Sequence, residues 1–241
     1  MQAPTSEFKY VGSELDLFAA VHNWKTYWSR SLQPYIGGDV LEVGAGIGAN
    51  TAFMDQGIAQ SWVCLEPDSE LADQLAANIA KSSTRSRYES VCGTLQSLPP
   101  CKFDTILYID VLEHIQNDRT ELETAAVRLK PGGRIIVLAP AHQSLYTPFD
   151  AAIGHYRRYN RPMLRAITPT TLQLERIWYL DSAGLLLSAG NRLFLRQSMP
   201  TKEQLSVWDN FVIPVSRLLD PCFFRSIGKS IVAVWQLSPA M

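Results

Sequence analysis

Short apolar runs alternate with segments of helical periodicity along residues 36–140. The runs are rich in β-branched and aromatic residues, which favour strands, and occupy 40–43, 61–66, 87–92, 103–109 and 134–139. Helical patterns occupy 49–56, 69–81 and 118–129, and Pro131-Gly132-Gly133 predicts a turn from the third helix into the fifth strand. This alternation predicts a parallel sheet covered on both faces, with ligands bound beyond the carboxyl ends of its strands.

The pattern changes after Ala139. Residues 140–160 read as a long loop, and an unstructured stretch of this length in a compact domain is more often functional than idle. Beyond it, the sequence predicts a short helix at 161–167, strands at 171–180 and 230–237, and a helical insertion at 181–227. Upstream of the first strand, helical spacing extends from Leu15 to Arg30.

Composition indicates one globular domain, since 46% of the residues are hydrophobic and 19% are charged. The first residues lack the features of a signal peptide, and polar residues interrupt the longest apolar stretch, which argues against a bilayer span. Four scattered cysteines without a CxxC pair predict reduced, buried thiols and a cytoplasmic location. Acidic residues exceed basic ones in 1–149 and the reverse holds in 150–241, but the net charge of −1 argues against a nucleic-acid partner.

A glycine-rich loop follows the first predicted strand. Gly44, Gly46 and Gly48 stand where a tight turn lets backbone N–H groups approach a ligand. Glu66, at the end of the second strand, occupies the position of an acid that binds ribose hydroxyls. With Ala49 the loop also fits the G-x-G-x-x-A pattern, so these residues alone leave a nicotinamide enzyme and an S-adenosylmethionine enzyme both open.

Three ordered motifs, the GxGxG loop, FDTILYIDVLEHI and LKPGGRIIVLAP, resemble those of class I S-adenosylmethionine-dependent methyltransferases of the small-molecule type. EFKYVGSELDLF, GHYRRY and IGKSIVAVW look like a bacterial-type group associated with glycoconjugate, lipid or natural-product pathways. The resemblance implies a Rossmann-like seven-stranded α/β sheet whose last strand is antiparallel, with helices on both faces. It implies a single domain, residues 1–241, with an N-terminal helical segment (1–35), a cofactor-binding core (36–140), a substrate-side loop (141–170) and a helical lid (181–227).

The resemblance also implies S-adenosylmethionine as cofactor and S-adenosylhomocysteine as product. Glu66 would bind the ribose, and Ile109 and Asp110 would lie beside the methionine part. A neutral Thr94 stands where the family commonly has an acid that contacts adenine, so Leu95 is expected to add backbone and apolar contacts. The full set of expected cofactor-binding residues is Gly44, Ala45, Gly46, Gly48, Glu66, Pro67, Thr94, Leu95, Ile109 and Asp110. Glu42 matches an acid of the first strand, with a buried structural role as the equal alternative.

Candidate groups for the acceptor side follow the fifth strand. His155 is the preferred base for a hydroxyl acceptor, since histidine titrates near neutral pH. The other candidates are Tyr159 for catalysis and His142, Tyr146, Tyr156, Arg157 and Arg158 for substrate binding. The two arginines either hold an anionic group or brace their own loop.

His114, in VLEHI, is expected to pack at the end of the fourth strand, with a place at the border of the substrate as the alternative. His22 is expected on a helix surface. No group of His, Cys, Asp and Glu has metal-ligand spacing, so the sequence predicts no metal.

The sequence therefore predicts a methyltransferase for a small acceptor, with O-methylation of a hydroxyl or carboxylate on an apolar or partly anionic natural product or lipid-like metabolite. N- or C-methylation, a non-catalytic S-adenosylmethionine-binding protein and an NAD-dependent oxidoreductase are the alternatives. The arginine-containing apolar insertion at 181–227 is expected to cover the substrate, or to contact a membrane surface or a second copy.

Overall fold

The structure is a computed structural model that describes residues 21–81, 87–194 and 201–238. The helical spacing expected around Leu15, the segment EFKYVGSELDLF and residues 195–200 of the insertion lie outside the described residues.

Seven strands form one sheet in the order β3-β2-β1-β4-β5-β7-β6. Strands β1 to β5 run parallel, and β7 pairs antiparallel with both β5 and β6. The expected mixed sheet with an antiparallel last strand is therefore confirmed. The strands are β1 (Gly38–Val43), β2 (Ala59–Glu66), β3 (Tyr88–Cys92), β4 (Phe103–Ile109), β5 (Leu129–Pro140), β6 (Leu172–Leu180) and β7 (Ser230–Leu237).

Helices cover both faces of the sheet. In β4, Ile106 and Tyr108 pack into one hydrophobic cluster, and Leu107 and Ile109 pack into a second. This alternation follows from the period of two in a strand, and burial on both faces is typical of parallel sheets. The helices are α1 (Asn23–Leu32), α2 (Thr51–Met54), α3 (Ser69–Lys81), α4 (Asp118–Val127), α5 (Pro148–Ala152), α6 (Arg161–Ala166), α7 (Ser182–Phe194), α8 (Lys202–Val207) and α9 (Ile213–Cys222), with a π-helical turn (Trp208–Val212) between α8 and α9.

Two boundaries differ from the sequence expectation. The Pro131-Gly132-Gly133 turn lies inside β5, which begins at Leu129, and the register with β4 shifts between Phe103 and Thr105. A side chain at Gly133 would lie 2.9 Å from the Lys130 carbonyl, so a close backbone contact requires glycine there. The helix expected at 49–56 is reduced to α2, because the glycine loop occupies its first residues.

The thiols also differ in part from expectation. Cys64 is buried, as predicted, but Cys92 and Cys222 are exposed. All four cysteines are free.

Residues 140–160 form a closed, folded loop instead of an unstructured one. Ala141 and Tyr159 form an isolated parallel bridge, so the two ends of the loop lie side by side. Between them are a 3-10 turn (Gln143–Leu145) and α5, whose first turn is closed by a capping box of Thr147 and Asp150. We call residues 141–159 the acceptor loop, since they follow the carboxyl end of β5.

The insertion between β6 and β7 is helical and is tied to α1 by buried aspartates. Asp209 accepts hydrogen bonds from the backbone N–H groups of Asn23 (3.0 Å) and Trp24 (2.8 Å), which caps α1. Asp220 accepts a hydrogen bond from the Tyr27 hydroxyl (2.7 Å). The insertion therefore fixes α1 against the sheet. Within the described ranges, no helix has the length and apolar character needed to cross a membrane.

Candidate functional site

The glycine loop exposes its backbone at the carboxyl end of β1. Gly44, Gly46 and Gly48 have positive φ angles of 67°, 56° and 79°, a region that side chains rarely adopt. A Cβ at Gly44 would lie 2.7 Å from the Val111 side chain, so space also requires glycine at that position. The backbone N–H groups of Gly44 and Ala45 donate to the Leu65 carbonyl, which holds the loop against β2.

Glu66 joins the glycine loop to the end of β2. One carboxylate oxygen accepts the Gly46 N–H at 2.8 Å, and the other accepts the Asp68 N–H at 3.0 Å. Burial raises the pKa of Glu66, while these two backbone hydrogen bonds oppose the rise. A carboxylate offers about four acceptor positions, so capacity remains for the hydroxyls of a ribose.

Asp110 follows β4 and faces the same edge of the sheet. Its φ of 54° turns the backbone sharply, and its N–H donates to the Leu138 carbonyl. Asp110 has exposed surface, although protein groups crowd its side chain. This surrounding protein raises the pKa of Asp110, while the charges of His155 and Lys25 lower it.

Lys25 of α1 lies close to Asp110, and no sequence motif indicates this. Its ammonium donates to the Ala49 carbonyl at 3.2 Å, next to the glycine loop. Burial lowers the pKa of Lys25 to about 8, and the charge of Asp110 opposes this. Within the helical pattern of 22–30 a lysine resembles any solvated residue, so only tertiary packing identifies it.

The remaining expected cofactor residues lie in different environments. Ile109 is buried at the end of β4, and Pro67 follows Glu66 directly. Thr94 is exposed and begins a 3-10 turn (Leu95–Ser97), with its N–H bonded to the Ser97 hydroxyl. The Leu95 side chain packs in the hydrophobic core, and its carbonyl accepts a hydrogen bond from the Arg128 guanidinium at 2.6 Å.

His155 lies in a network of buried polar groups on the acceptor side. Its Nδ1 is 3.0 Å from an Asp150 carboxylate oxygen, and its Nε2 is 3.8 Å from Oε1 of Glu113. The ring of His114 packs edge-on against it, with centroids 4.5 Å apart. When Nδ1 donates to Asp150, Nε2 is the hydrogen-bond acceptor of the neutral ring. His114 is thus part of the site and not only of the packing.

Glu113 is the residue that sequence reasoning missed. It is fully buried, and among the described residues neither carboxylate oxygen has a hydrogen-bond partner. Burial, followed by the charge of Asp110, raises the pKa of Glu113 well above its usual range. The VLEHI segment contains the signal, because an acid and a histidine follow a strand end there.

Asp150 and Arg158 hold the acceptor loop together. The Arg158 guanidinium donates to both carboxylate oxygens of Asp150, at 2.8 and 2.9 Å, and both residues are buried. Burial alone raises the pKa of Asp150, but hydrogen bonds from His155 and Arg158 outweigh it and keep the pKa below its usual range.

Arg157 is also engaged within the chain. It pairs with Asp118 at 2.6 Å and donates to the carbonyls of Ile115 and Gln116. These contacts, like those of Arg158, favour the bracing alternative for the two arginines.

Tyr159 occupies a structural position. It is fully buried in the hydrophobic core, and its hydroxyl donates to Asp118 at 2.8 Å. Burial raises the pKa of Tyr159 well beyond its usual value. This position does not support the catalytic role expected for Tyr159.

The other expected substrate residues are spread around the acceptor loop. His142 stacks on Tyr179, with ring centroids 5.1 Å apart, and its Nε2 lies 3.0 Å from the Gly228 carbonyl. The Tyr146 hydroxyl donates to the His155 carbonyl at 2.6 Å, and Tyr156 is half exposed. Tyr156 therefore keeps the most freedom to contact an acceptor.

His22 is exposed before α1, where its ring packs against Phe53.

The fold brings together a group of possible metal ligands that spacing did not reveal. One ligand atom each from Glu113, His114 and His155 lies within 4.8 Å of the others. The histidines come from segments about 40 residues apart, so sequence spacing could not exclude a metal here.

Comparison with known proteins gives a family for the centre of the chain. Residues 41–135 match the family described as methyltransferase domain. The chain is 32% identical over 144 residues to the demethylmenaquinone methyltransferase of Tropheryma whipplei strain Twist, which covers 59% of this chain and 56% of that protein. The chain thus spans little more than half the length of this relative.

Solved structures share the fold. The [4+2]-cyclase SpnF superposes with a TM-score of 0.62 at 14% identity, covering 90% of this chain and 81% of SpnF. Phosphoethanolamine N-methyltransferase 2 of Haemonchus contortus, solved with S-adenosylhomocysteine, superposes with a TM-score of 0.60 at 14% identity, covering 95% and 58%. Residues 41–135 thus match a methyltransferase-domain family, and the seven-stranded sheet around them has the fold of these solved structures.

Proposed function

We propose that this protein transfers a methyl group from S-adenosylmethionine to an oxygen of a small, apolar acceptor. The observation that carries the proposal is the juxtaposition of a glycine loop with Glu66 and, at the same edge of the sheet, a buried histidine network. The methyltransferase-domain match supports the reaction class. A cyclase and a methyltransferase share this fold, so fold alone does not define the chemistry.

The residues of the cofactor side fit S-adenosylmethionine. The positive φ angles of the glycine loop leave its backbone free of side chains, and Glu66 has acceptor capacity for two ribose hydroxyls. Asp110 would accept from the methionine amino group, and Lys25 would balance the methionine carboxylate. The bound cofactor supplies a methyl group already activated on a sulfonium, so the chain has mainly to align the acceptor.

His155 has the geometry of a proton acceptor for a hydroxyl. Asp150 orients the ring through Nδ1 at 3.0 Å, and Arg158 in turn fixes Asp150. Nε2 is therefore free to accept the hydroxyl proton as the acceptor oxygen attacks the methyl carbon. A carboxylate acceptor would need no such base, and an amine would need less help than a hydroxyl.

The apolar character of the acceptor is proposed from two observations. The relative of 32% identity is named for demethylmenaquinone, which is an apolar quinone. Large apolar side chains are exposed on and beside the helices of the insertion, namely Leu186, Leu187, Val207, Phe211, Val215, Leu218, Phe223 and Phe224. The same residues support a contact with a membrane surface or a second copy, which flotation with liposomes and sedimentation equilibrium would test. We expect a cytoplasmic location and no nucleic-acid partner.

Calorimetry followed by a methyl-transfer assay tests the proposal. We expect S-adenosylmethionine and S-adenosylhomocysteine to bind in a one-to-one ratio and NAD not to bind. A panel of a hydroquinone, a phenol, an aliphatic alcohol, a carboxylic acid and an aromatic amine, with labelled S-adenosylmethionine, should give label on oxygen for the hydroquinone or phenol. Tight binding of NAD alone would favour the oxidoreductase, label on carbon or nitrogen would change the acceptor atom, and binding without transfer to any of them would favour a binding protein.

A further inference from the structure

The acceptor side contains a buried carboxyl group, Glu113, that accepts no hydrogen bond within the part of the chain that the structure describes. Both oxygens of Glu113 lack hydrogen-bond partners among the described residues, although the residue is fully buried. An unpaired buried carboxylate is costly, and a bound cation is one way to stabilise it. Arg158 does not do so, since its guanidinium donates to Asp150.

Two imidazoles lie beside this carboxylate, close enough for all three groups to bind one ion. Ligand atoms of Glu113, His114 and His155 lie within 4.8 Å of one another. Ligands at about 2.0–2.1 Å from a tetrahedral ion lie about 3.4 Å apart, so the side chains would need to close by about 1 Å or less each. The three come from the turn after β4 and from the acceptor loop, which are held together by the Tyr156 N–H bonded to the Glu113 carbonyl.

Each imidazole also has a hydrogen-bond partner beside the cluster. The Nδ1 of His155 bonds to Asp150, and His114 forms a hydrogen bond with the backbone of Ile153. Metal-binding histidines almost always donate their second nitrogen to a carboxylate or a carbonyl in this way. Asp150 and the Ile153 backbone therefore already orient the two imidazoles that would bind the ion.

We propose that Glu113, His114 and His155 bind one divalent transition-metal ion. Two imidazole nitrogens and one carboxylate oxygen suit Zn²⁺, Mn²⁺, Fe²⁺ or Co²⁺, and three protein ligands leave coordination positions open. An acceptor oxygen would take one of the open positions, close to Asp110, whose charge acts on Glu113.

A role for this ion in catalysis rests on the proposed function. A hydroxyl bound to the ion loses its proton to solvent more easily, because the positive charge favours the alkoxide or phenoxide. The oxygen lone pair then forms the bond to the methyl carbon while the carbon–sulfur electron pair returns to sulfur. In the ion-bound form His155 is a ligand, and the ion replaces it as the group that activates the hydroxyl.

Direct cation binding tests the site without any assumption about methyl transfer. The chelator-treated full chain is titrated with Zn²⁺ and Mn²⁺ by calorimetry and with Co²⁺ by visible absorption. We expect one ion per chain and a loss of affinity of about 10- to 100-fold or more in each of Glu113→Gln, His114→Asn and His155→Asn. His142→Asn is the matched control, because His142 stacks on Tyr179 outside the cluster.

Two outcomes overturn the proposal: no stoichiometric ion in the wild type, or equal binding in all four variants. Circular dichroism checks that each variant is folded, and the two histidine variants keep the test valid if Glu113→Gln is unstable. Calorimetry with S-adenosylmethionine is run separately on the same preparations. Cation binding without cofactor binding would retain the site and reject the proposed function, and the reverse result would do the opposite.

Discussion

The two sides of the candidate site consist of different chemical groups. The cofactor side uses backbone groups of a contiguous glycine loop and one acid, Glu66, that fixes the loop through Gly46. The acceptor side uses buried charged side chains from separate segments, in which Glu113, Asp150 and His155 meet. Local backbone geometry therefore defines the first side, whereas a tertiary network of charges defines the second.

Gly46→Val should break the cofactor side and leave the acceptor side intact. A β-branched residue at a φ of 56° is strained by about 1–3 kcal/mol, and its side chain also blocks backbone approach to the ligand. We expect calorimetry to show the affinity for S-adenosylmethionine reduced by about 1000-fold or more. Gly37→Ala is the control, since Gly37 has nothing within 4 Å of an added Cβ. Normal binding by the valine variant would show that the cofactor lies elsewhere.

His155→Ala should have the converse effect. Loss of a proton acceptor or metal ligand lowers turnover on the true acceptor by about 10²- to 10⁴-fold, while S-adenosylmethionine affinity changes by about 2-fold or less. Steady-state kinetics and calorimetry measure the two quantities, with His22→Asn, at an exposed position before α1, as control. Unchanged turnover would remove His155 from the mechanism, and a parallel loss of cofactor affinity would show that the two sides are not separable.

Asp150→Asn tests whether the charged network also contributes to the free energy of unfolding. The substitution leaves the buried Arg158 guanidinium without its carboxylate, and breaking such a pair costs about 3–5 kcal/mol. Denaturant unfolding measures this loss, and the exposed Asp73→Asn is the matched control. A free energy of unfolding equal to that of the control would mean that the acceptor loop is held by its other contacts.

Glu42→Gln tests how a buried acid beneath the cofactor side contributes to stability. Glu42 accepts hydrogen bonds from Thr51 and Trp62, which supports the structural role, and burial raises its pKa to about 7. An acid whose pKa is higher in the folded than in the unfolded state stabilises the folded state at low pH. For Glu42 this stabilisation is complete below pH 4.5, the pKa of an unperturbed glutamate, and is lost as the pH rises to about 7.

The difference in unfolding free energy between wild type and Glu42→Gln should therefore fall by about 2–3 kcal/mol from pH 4.5 to 7.5. Urea unfolding at several pH values measures it, and Asp73→Asn should show no such trend. A difference independent of pH would mean that Glu42 ionises normally in the folded protein.

The sequence located strands best where both faces are buried. The predicted β4 (103–109) and β7 (230–237) have the bounds found in the structure, because continuous apolar runs are distinct from their surroundings. The acceptor loop was harder to predict, since α5 has only five residues and its ends are joined by a bridge between Ala141 and Tyr159. Such a contact has no local signature.

By itself the sequence determined the succession of strands and helices along the chain, the glycine loop and the acid that supports this loop. Each of these features depends on residues that are close in sequence. Only the tertiary structure showed Lys25 beside the loop, Asp150 paired with Arg158, and Glu113 next to two histidines. Buried charges are stabilised by partners that the fold brings from distant segments, and a linear pattern of apolar and polar positions contains no record of those pairings.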